Sequence, residues 1–155
     1  MGGRIFKLAT VISIMIASAT LASAQSVSGF IGDGNVRRGT TVRAKVVLTI
    51  PDDLHVNSNA PNSKYAIPTS VKLSAQGIRL GAIAYPKGKT KKFSFSETPI
   101  NVYEGKVEFG FNVTVPAAFK GNSVEIKAAV RYQACNDEVC FPPRTREVVL
   151  TARVR

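Results

Sequence analysis

The sequence predicts an all-β protein folded as a two-sheet β-sandwich. About seven to nine short runs alternate apolar and polar residues, and clusters of turn-forming residues separate them at short intervals. No long run shows the apolar period of an amphipathic helix. Short alternating strands without helices favour two packed sheets that each bury one face.

The alternation defines each predicted strand in chain order. It is clearest in residues 41–50 and 106–115, where an apolar side chain recurs at every second position. Shorter or less regular runs predict further strands at residues 26–31, 65–74, 80–85, 100–103, 123–132 and 145–154. Pro68 predicts an edge or a bulge in its strand, because proline cannot donate a ladder hydrogen bond.

The first 24 residues have the pattern of a secretory signal peptide. Arg4 and Lys7 precede the apolar run 8–21, and the small-x-small sequence Ala-Ser-Ala ends at Ala24. That run of about 14 residues is shorter than the roughly 20 that span a bilayer, so cleavage is favoured over a retained anchor. We therefore expect residues 25–155 to form one exported domain in the periplasm.

The formal net charge of +11 raises the question of nucleic-acid binding. The lysines and arginines are scattered along the chain, except for the basic run 87–92. For an exported protein this pattern indicates a solvated surface, suited to acidic partners or to a membrane face. Nucleic acid is not an expected partner.

The two cysteines of the chain, Cys135 and Cys140, lie at the two shoulders of a predicted bend. Three of the four residues between them are polar or charged, and a disulfide can bridge such a short bend. Closing a ring of roughly six residues contributes only about 2 kcal/mol, against about 4.7 for a 100-residue loop. A reachable bridge of this size suits opening and closing, and a structural clip on a hairpin is the alternative.

Metal and hydrolase chemistries fit the sequence poorly. His55 is the only histidine, and both methionines, Met1 and Met15, lie in the predicted signal peptide. Zinc needs about four ligands and blue copper needs two histidines, so no metal or cofactor is expected. The chain also contains neither a Gly-x-Ser-x-Gly elbow nor a Cys-x-x-Cys motif.

The residues around the cysteines resemble a known family motif. Tyr-Gln-Ala precedes Cys135 and Phe-Pro-Pro follows Cys140. This pattern is similar to the cysteine motif of the N-terminal periplasmic domain of DsbD, a thiol:disulfide interchange protein, with a weaker likeness from about residue 28 to residue 154. The resemblance implies an immunoglobulin-like fold and electron transfer from a membrane thiol relay to thioredoxin-like periplasmic proteins. We expect the domain to be a monomer.

The resemblance further assigns roles to individual residues. Cys140 is the cysteine that joins the partner, and Cys135 resolves the mixed disulfide. His55 and Asn57 flank the pair, with His55 placed to lower a thiol pKa or to carry a proton. In residues 93–98, Phe95 and Glu97 are candidates for a mobile cap over the bridge. An ordinary strand that packs Phe93 and Phe95 into the core is the other reading of that segment.

These observations favour a periplasmic thiol:disulfide interchange module that passes reducing equivalents through Cys135 and Cys140. The sequence contains neither the transmembrane relay nor the thioredoxin-like domain of the full relative, so a stand-alone copy is expected. Whether it is a protein-disulfide reductase, and in which direction electrons flow, stays open. The rival is a non-catalytic exported immunoglobulin-like binding module with a structural hairpin disulfide.

Overall fold

The computed structural model describes residues 25–155, and within that range every regular element is a strand. The predicted signal peptide, residues 1–24, lies outside the described residues. No helix in the described part of the chain could span a membrane. The strands are β1 Ser26–Ile31, β2 Asn35–Val36, β3 Thr41–Thr49, β4 His55–Asn57, β5 Ser70–Ala75, β6 Arg79–Leu80, β7 Lys89–Lys91, β8 Ile100–Tyr103, β9 Lys106–Thr114, β10 Ser123–Tyr132, β11 Ala134–Cys135 and β12 Arg144–Val154.

Two four-stranded sheets form the sandwich. The first has the order β1-β3-β9-β6, and β3 pairs with β9 along its whole length, from Thr41↔Thr114 to Thr49↔Lys106. The second has the order β2-β12-β10-β5 and contains the longest antiparallel pair, β10 with β12. Because successive side chains point to opposite faces, the alternation in β9 and β10 turns one face of each sheet inward.

The main core fills the space between these two sheets. Each sheet contributes fully buried side chains from its central strands, among them Leu48, Phe109, Ile126 and Leu150. The two-sheet β-sandwich predicted from alternation and the immunoglobulin-like fold implied by the resemblance are both confirmed.

A third, smaller sheet holds the cysteine bend and also contributes Val56, Tyr103 and Ala134 to the main core. Its order is β11-β4-β8-β7. The chain enters it directly from β10, since Gln133 alone separates β10 from β11. A small apolar cluster of its own, formed by Phe93, Ile100 and Val102 with Ala66 against it, supports this sheet.

Two predicted strands are shorter than expected. The strand predicted at residues 65–74 begins only at Ser70, and Tyr65 is exposed instead. The strand predicted at residues 80–85 is limited to Arg79–Leu80 and a separate bridge at Ala84. Gly81 bonds to Asn112 and Ala84 to Gly110, so two residues face one across the ladder, as in a β-bulge.

Candidate functional site

Cys135 and Cys140 form a disulfide across the bend, as their spacing predicted. The two residues pair with each other as an isolated antiparallel bridge, with 4.0 Å between their Cα atoms. They differ in exposure: Cys135 is 0% exposed, whereas Cys140 is an exposed residue. An incoming thiolate can therefore reach the Cys140 side of the bridge, while Cys135 is covered by protein.

His55 lies beside Cys135. The antiparallel pairing of β4 with β11 places the two residues directly opposite each other, so their side chains share one face of the small sheet. His55 is only 4% exposed, and its Nε2 has no hydrogen-bond partner among the described residues.

Burial sets the protonation state of this histidine. It lowers the pKa of His55 from its ordinary value of 6.5, because the imidazolium loses its hydration. The carboxylates of Glu104 and Asp137 act in the opposite direction, and Lys91 adds to the lowering. The imidazole beside Cys135 is therefore neutral at neutral pH.

An aromatic stack continues outward from His55. The Phe93 ring lies parallel to the imidazole, with 4.2 Å between ring centroids, and the Phe95 ring stacks on Phe93 at 5.1 Å. Phe93 is 7% exposed and Phe95 is 39% exposed, so Phe93 is the inner ring and Phe95 the outer one. Phe93 is buried in the small apolar cluster with Ile100 and Val102, as the alternative reading expected for at least one of the rings, but residues 93–98 form a turn and not a strand.

The segment that carries these rings also touches the cysteine bend. The Ser94 hydroxyl donates a hydrogen bond of 3.2 Å to the backbone carbonyl of Asp137. The Ser96 hydroxyl donates to the carbonyl of Thr98 within the same segment. Residues 93–98 thus close over the small sheet next to Cys135, through one side-chain bond and the ring stack.

Asn57 and Gln133 connect the segments that meet at the site. The Asn57 side-chain amide donates to Gln133 Oε1 at 3.0 Å and to the carbonyl of Ile67 at 3.2 Å. Gln133 Oε1 also accepts from the Ile67 amide, and Gln133 Nε2 donates to the carbonyl of Phe141. The Asn57 carbonyl accepts from the Thr69 hydroxyl at 2.6 Å. Asn57 therefore connects β4 to the cysteine bend through the side chain of Gln133.

Glu97 is the remaining candidate, and three basic side chains are near the bend in sequence or belong to the same small sheet. Glu97 is exposed at the outer end of residues 93–98, and its carboxylate makes no ion pair or hydrogen bond within residues 25–155. Arg144 is exposed at the start of β12, four residues after Cys140. Lys89 and Lys91 of the basic run both pair with Glu104, which lowers the pKa of that carboxyl, chiefly through its hydrogen bond with Lys91.

Comparison with known proteins identifies the family of this chain. The sequence profile of the family described as "Thiol:disulfide interchange protein DsbD, N-terminal" matches residues 32–152. The chain belongs to this family. The DsbD N-terminal match includes His55, the aromatic segment and both cysteines. The resemblance inferred from the cysteine motif is thereby confirmed.

Two individual relatives illustrate the extent of the likeness. The thiol:disulfide interchange protein DsbD of Pseudoalteromonas atlantica (strain T6c / ATCC BAA-1087) is 31% identical over 102 residues, which are 65% of this chain and 16% of that protein. The crystal structure of the N-terminal periplasmic domain of ScsB from Proteus mirabilis aligns with a TM-score of 0.53 at 9% identity, over 83% of this chain and 46% of that one. The structural match shows a shared fold, and the chain corresponds to a small part of the DsbD relative.

Sequence reasoning gave too little weight to two residues of this site. Phe93, not Phe95, packs on His55, because the chain turns at residues 94–95 and folds both rings onto one stack. Gln133 was recognised only as part of the motif, although its side chain bonds to three segments. Gln133 continues the outward positions of β10 in the sequence, so the alternation gives no signal that marks it.

Proposed function

We propose that this chain is a thiol:disulfide interchange module that passes reducing equivalents through the Cys135–Cys140 pair. The supporting observation is the asymmetry of the bridge, with one cysteine exposed and the other buried beside a neutral histidine. Disulfides that an incoming thiolate can reach are the ones used for exchange, whereas inert structural bridges resist reduction. Membership of the DsbD N-terminal family supports the same chemistry.

The proposed reaction takes up two electrons and delivers two. A donor thiolate attacks Cys140 Sγ, the disulfide breaks, and Cys135 leaves as a thiolate that takes a proton. The second donor thiol then attacks the mixed disulfide and releases Cys140, so that the donor becomes oxidised and the pair reduced. Afterwards Cys140 attacks a client disulfide, and Cys135 resolves the new mixed disulfide, releasing the reduced client as the bridge closes.

His55 is proposed to exchange the proton of Cys135 during these steps. It lies opposite Cys135, is neutral at neutral pH and has a buried nitrogen without a partner. A neutral imidazole can accept the proton as the Cys135 thiol becomes a nucleophile. The thiol pKa of Cys135, measured in a Cys140→Ala background with and without His55→Ala, tests the role. An unchanged pKa removes His55 from the mechanism.

Residues 93–98 and Asn57 also have roles in the proposed function. The segment 93–98, with Phe95 and Glu97 on its outer side, is proposed to move aside when a partner docks. Exchange needs access to sulfur, so a closed segment limits reaction with stray thiols. Asn57 is proposed to maintain the bend through Gln133 while the segment opens.

The proposed partners and location come from the family. We propose that residues 1–24 direct export and are removed, and that residues 25–155 act as a monomeric domain in the periplasm. The donor is proposed to be a membrane thiol relay or a thioredoxin-like protein, and the clients are oxidised periplasmic thiol proteins. Phe95, Val139 and Phe141 are exposed apolar side chains that such a partner can cover.

Reduction potential and thermal stability separate this function from a non-catalytic binding module with a structural clip. A potential well below about −300 mV, or a fold that melts on reduction, indicates a clip. We expect a higher potential and a reduced protein that keeps its fold, since the core lies between the two large sheets.

Trapping experiments test the roles of the two cysteines. We expect Cys135→Ala to accumulate a mixed disulfide with a thioredoxin-like partner whose own second cysteine is replaced, because Cys140 can attack and neither protein keeps a thiol that resolves the product. Cys140→Ala should accumulate none, since Cys135 is buried. The reverse pattern would exchange the proposed roles.

A further inference from the structure

The bend between the cysteines is closed by hydrogen bonds that do not involve sulfur. The side-chain carbonyl of Asn136 accepts from the amides of Glu138 and Val139, at 3.0 and 2.7 Å. The Asn136 amide donates to the carbonyl of Val139 at 3.0 Å. Asparagine readily folds back on the amides that follow it, so this residue suits the position.

A second set of bonds closes the bend just outside the cysteines. The Phe141 amide donates to the carbonyl of Ala134 at 2.8 Å, and the Phe141 carbonyl accepts from Gln133 Nε2 at 3.2 Å. Ala134 and Phe141 are the residues immediately before Cys135 and after Cys140. Hydrogen bonds therefore join the chain on both sides of the disulfide.

These bonds have a consequence when the disulfide is broken. Without them, the reduced bend would gain conformational freedom, and closing the ring again would require ordering its backbone. The outer bonds keep Ala134 and Phe141 together. Between the sulfurs, the Ser94 hydroxyl holds the Asp137 carbonyl from outside the bend, and Asn136 closes the turn itself through its amide and its side chain. The effective concentration of one thiol at the other thus depends on Asn136.

We propose that Asn136 is a positioning residue for the exchange, whose side-chain carbonyl keeps the Cys135 and Cys140 thiols facing each other in the reduced protein. This inference rests on the proposed function, in which the pair opens and closes repeatedly. Asn136 acts on the sulfurs only through the backbone, and its effect is on the equilibrium of ring closure. In a glutathione buffer, closure converts two protein thiols and one oxidised glutathione into the bridge and two reduced glutathiones.

The test is the equilibrium of that reaction in defined mixtures of reduced and oxidised glutathione, read by alkylation of free thiols. We expect Asn136→Ala to lower the closure constant about tenfold, which raises the reduction potential by about 30 mV for this two-electron couple. Asn136→Asp retains a side-chain oxygen acceptor and should restore the constant to within about threefold of wild type. Glu138→Gln is the matched control in the same bend, since Glu138 bonds to Asn136 only through its backbone amide and its side chain makes no hydrogen bond within the described residues.

The proposal is overturned if the closure constant of Asn136→Ala lies within about twofold of wild type. It is also overturned if Asn136→Asp lowers the closure constant as much as Asn136→Ala does. Circular dichroism of the oxidised variants confirms that each is folded before titration. The glutathione equilibrium is measurable whether or not any protein partner exchanges with the pair. A failure of the positioning role is therefore distinguishable from a failure of the interchange function.

Discussion

The inner ring of the aromatic stack should protect Cys135 and leave Cys140 accessible. Phe93 packs on His55, which faces Cys135, whereas Cys140 lies at the exposed shoulder of the bend. Replacing Phe93 by alanine removes the ring that closes residues 93–98 over this side of the small sheet. Phe93→Ala should therefore raise the accessibility of Cys135 and leave that of Cys140 unchanged.

The expected magnitude follows from the burial of the ring. Truncating a buried phenylalanine costs about 3–5 kcal/mol, and the lower value suits Phe93 because its cluster is small. Destabilising the closed state by about 3 kcal/mol raises the equilibrium constant for opening of residues 93–98 roughly 100-fold. Phe95 is 39% exposed, so its truncation should shift the opening much less, about fivefold for about 1 kcal/mol.

Alkylation of single-cysteine variants measures this effect. In Cys140→Ala, the remaining Cys135 thiol should react with iodoacetamide roughly 100-fold faster after Phe93→Ala and about fivefold faster after Phe95→Ala. In Cys135→Ala, Phe93→Ala should leave the Cys140 rate nearly unchanged. Rates are compared after correction for each thiol pKa, because only the thiolate reacts.

Two outcomes would refute this reasoning. An unchanged Cys135 rate after Phe93→Ala means that other parts of the structure bury the sulfur. A larger effect of Phe95→Ala than of Phe93→Ala means that the outer ring is the gate, as the family resemblance first suggested.

Three further predictions concern stability. The free energy of unfolding should fall by at most about 1.4 kcal/mol per pH unit as the pH drops below 6.5. The reason is that the unfolded chain binds a proton at His55 at a higher pH than the folded chain does. His55→Phe should lose that part of the pH dependence in urea titrations, and an identical profile would contradict the assignment. Gly29→Ala should destabilise the fold by about 1–3 kcal/mol, since a Cβ there would lie 2.5 Å from the Lys45 carbonyl oxygen. Gly110→Ala is the neutral control, because the space at its Cβ is open. Equal losses of stability in the two variants would contradict the packing argument. Tyr132→Phe should cost little or stabilise in the same assay, because the buried Tyr132 hydroxyl has no partner within residues 25–155, and a loss above about 2 kcal/mol would reveal a missed bond.

Strands with a regular apolar period were predictable from local pattern alone. Residues 106–115 and 41–50 became β9 and β3 with ends that differ by one residue. The short strands β4 and β11 were not predictable, because a three-residue and a two-residue run have no measurable period. They exist because each finds a partner across the small sheet.

The candidate site was predictable in its chemistry and only in part in its contacts. The cysteine spacing and its flanking motif are sufficient to indicate the bridge and the family. The choice between Phe93 and Phe95 depended on a turn at residues 94–95, which alternation treats as a continuing strand. Gln133 and Asn136 act through hydrogen bonds to distant or looping backbone, and sequence spacing does not report these.

The sequence by itself determined the sandwich and the two cysteines of the bridge, since both follow from residue types at short and regular separations. The tertiary structure alone decided that Cys135 is buried and Cys140 exposed. It also decided that His55, 80 positions before Cys135, lies against it. Burial and cross-strand pairing depend on how distant segments pack, and such packing is not encoded in any local pattern of the chain.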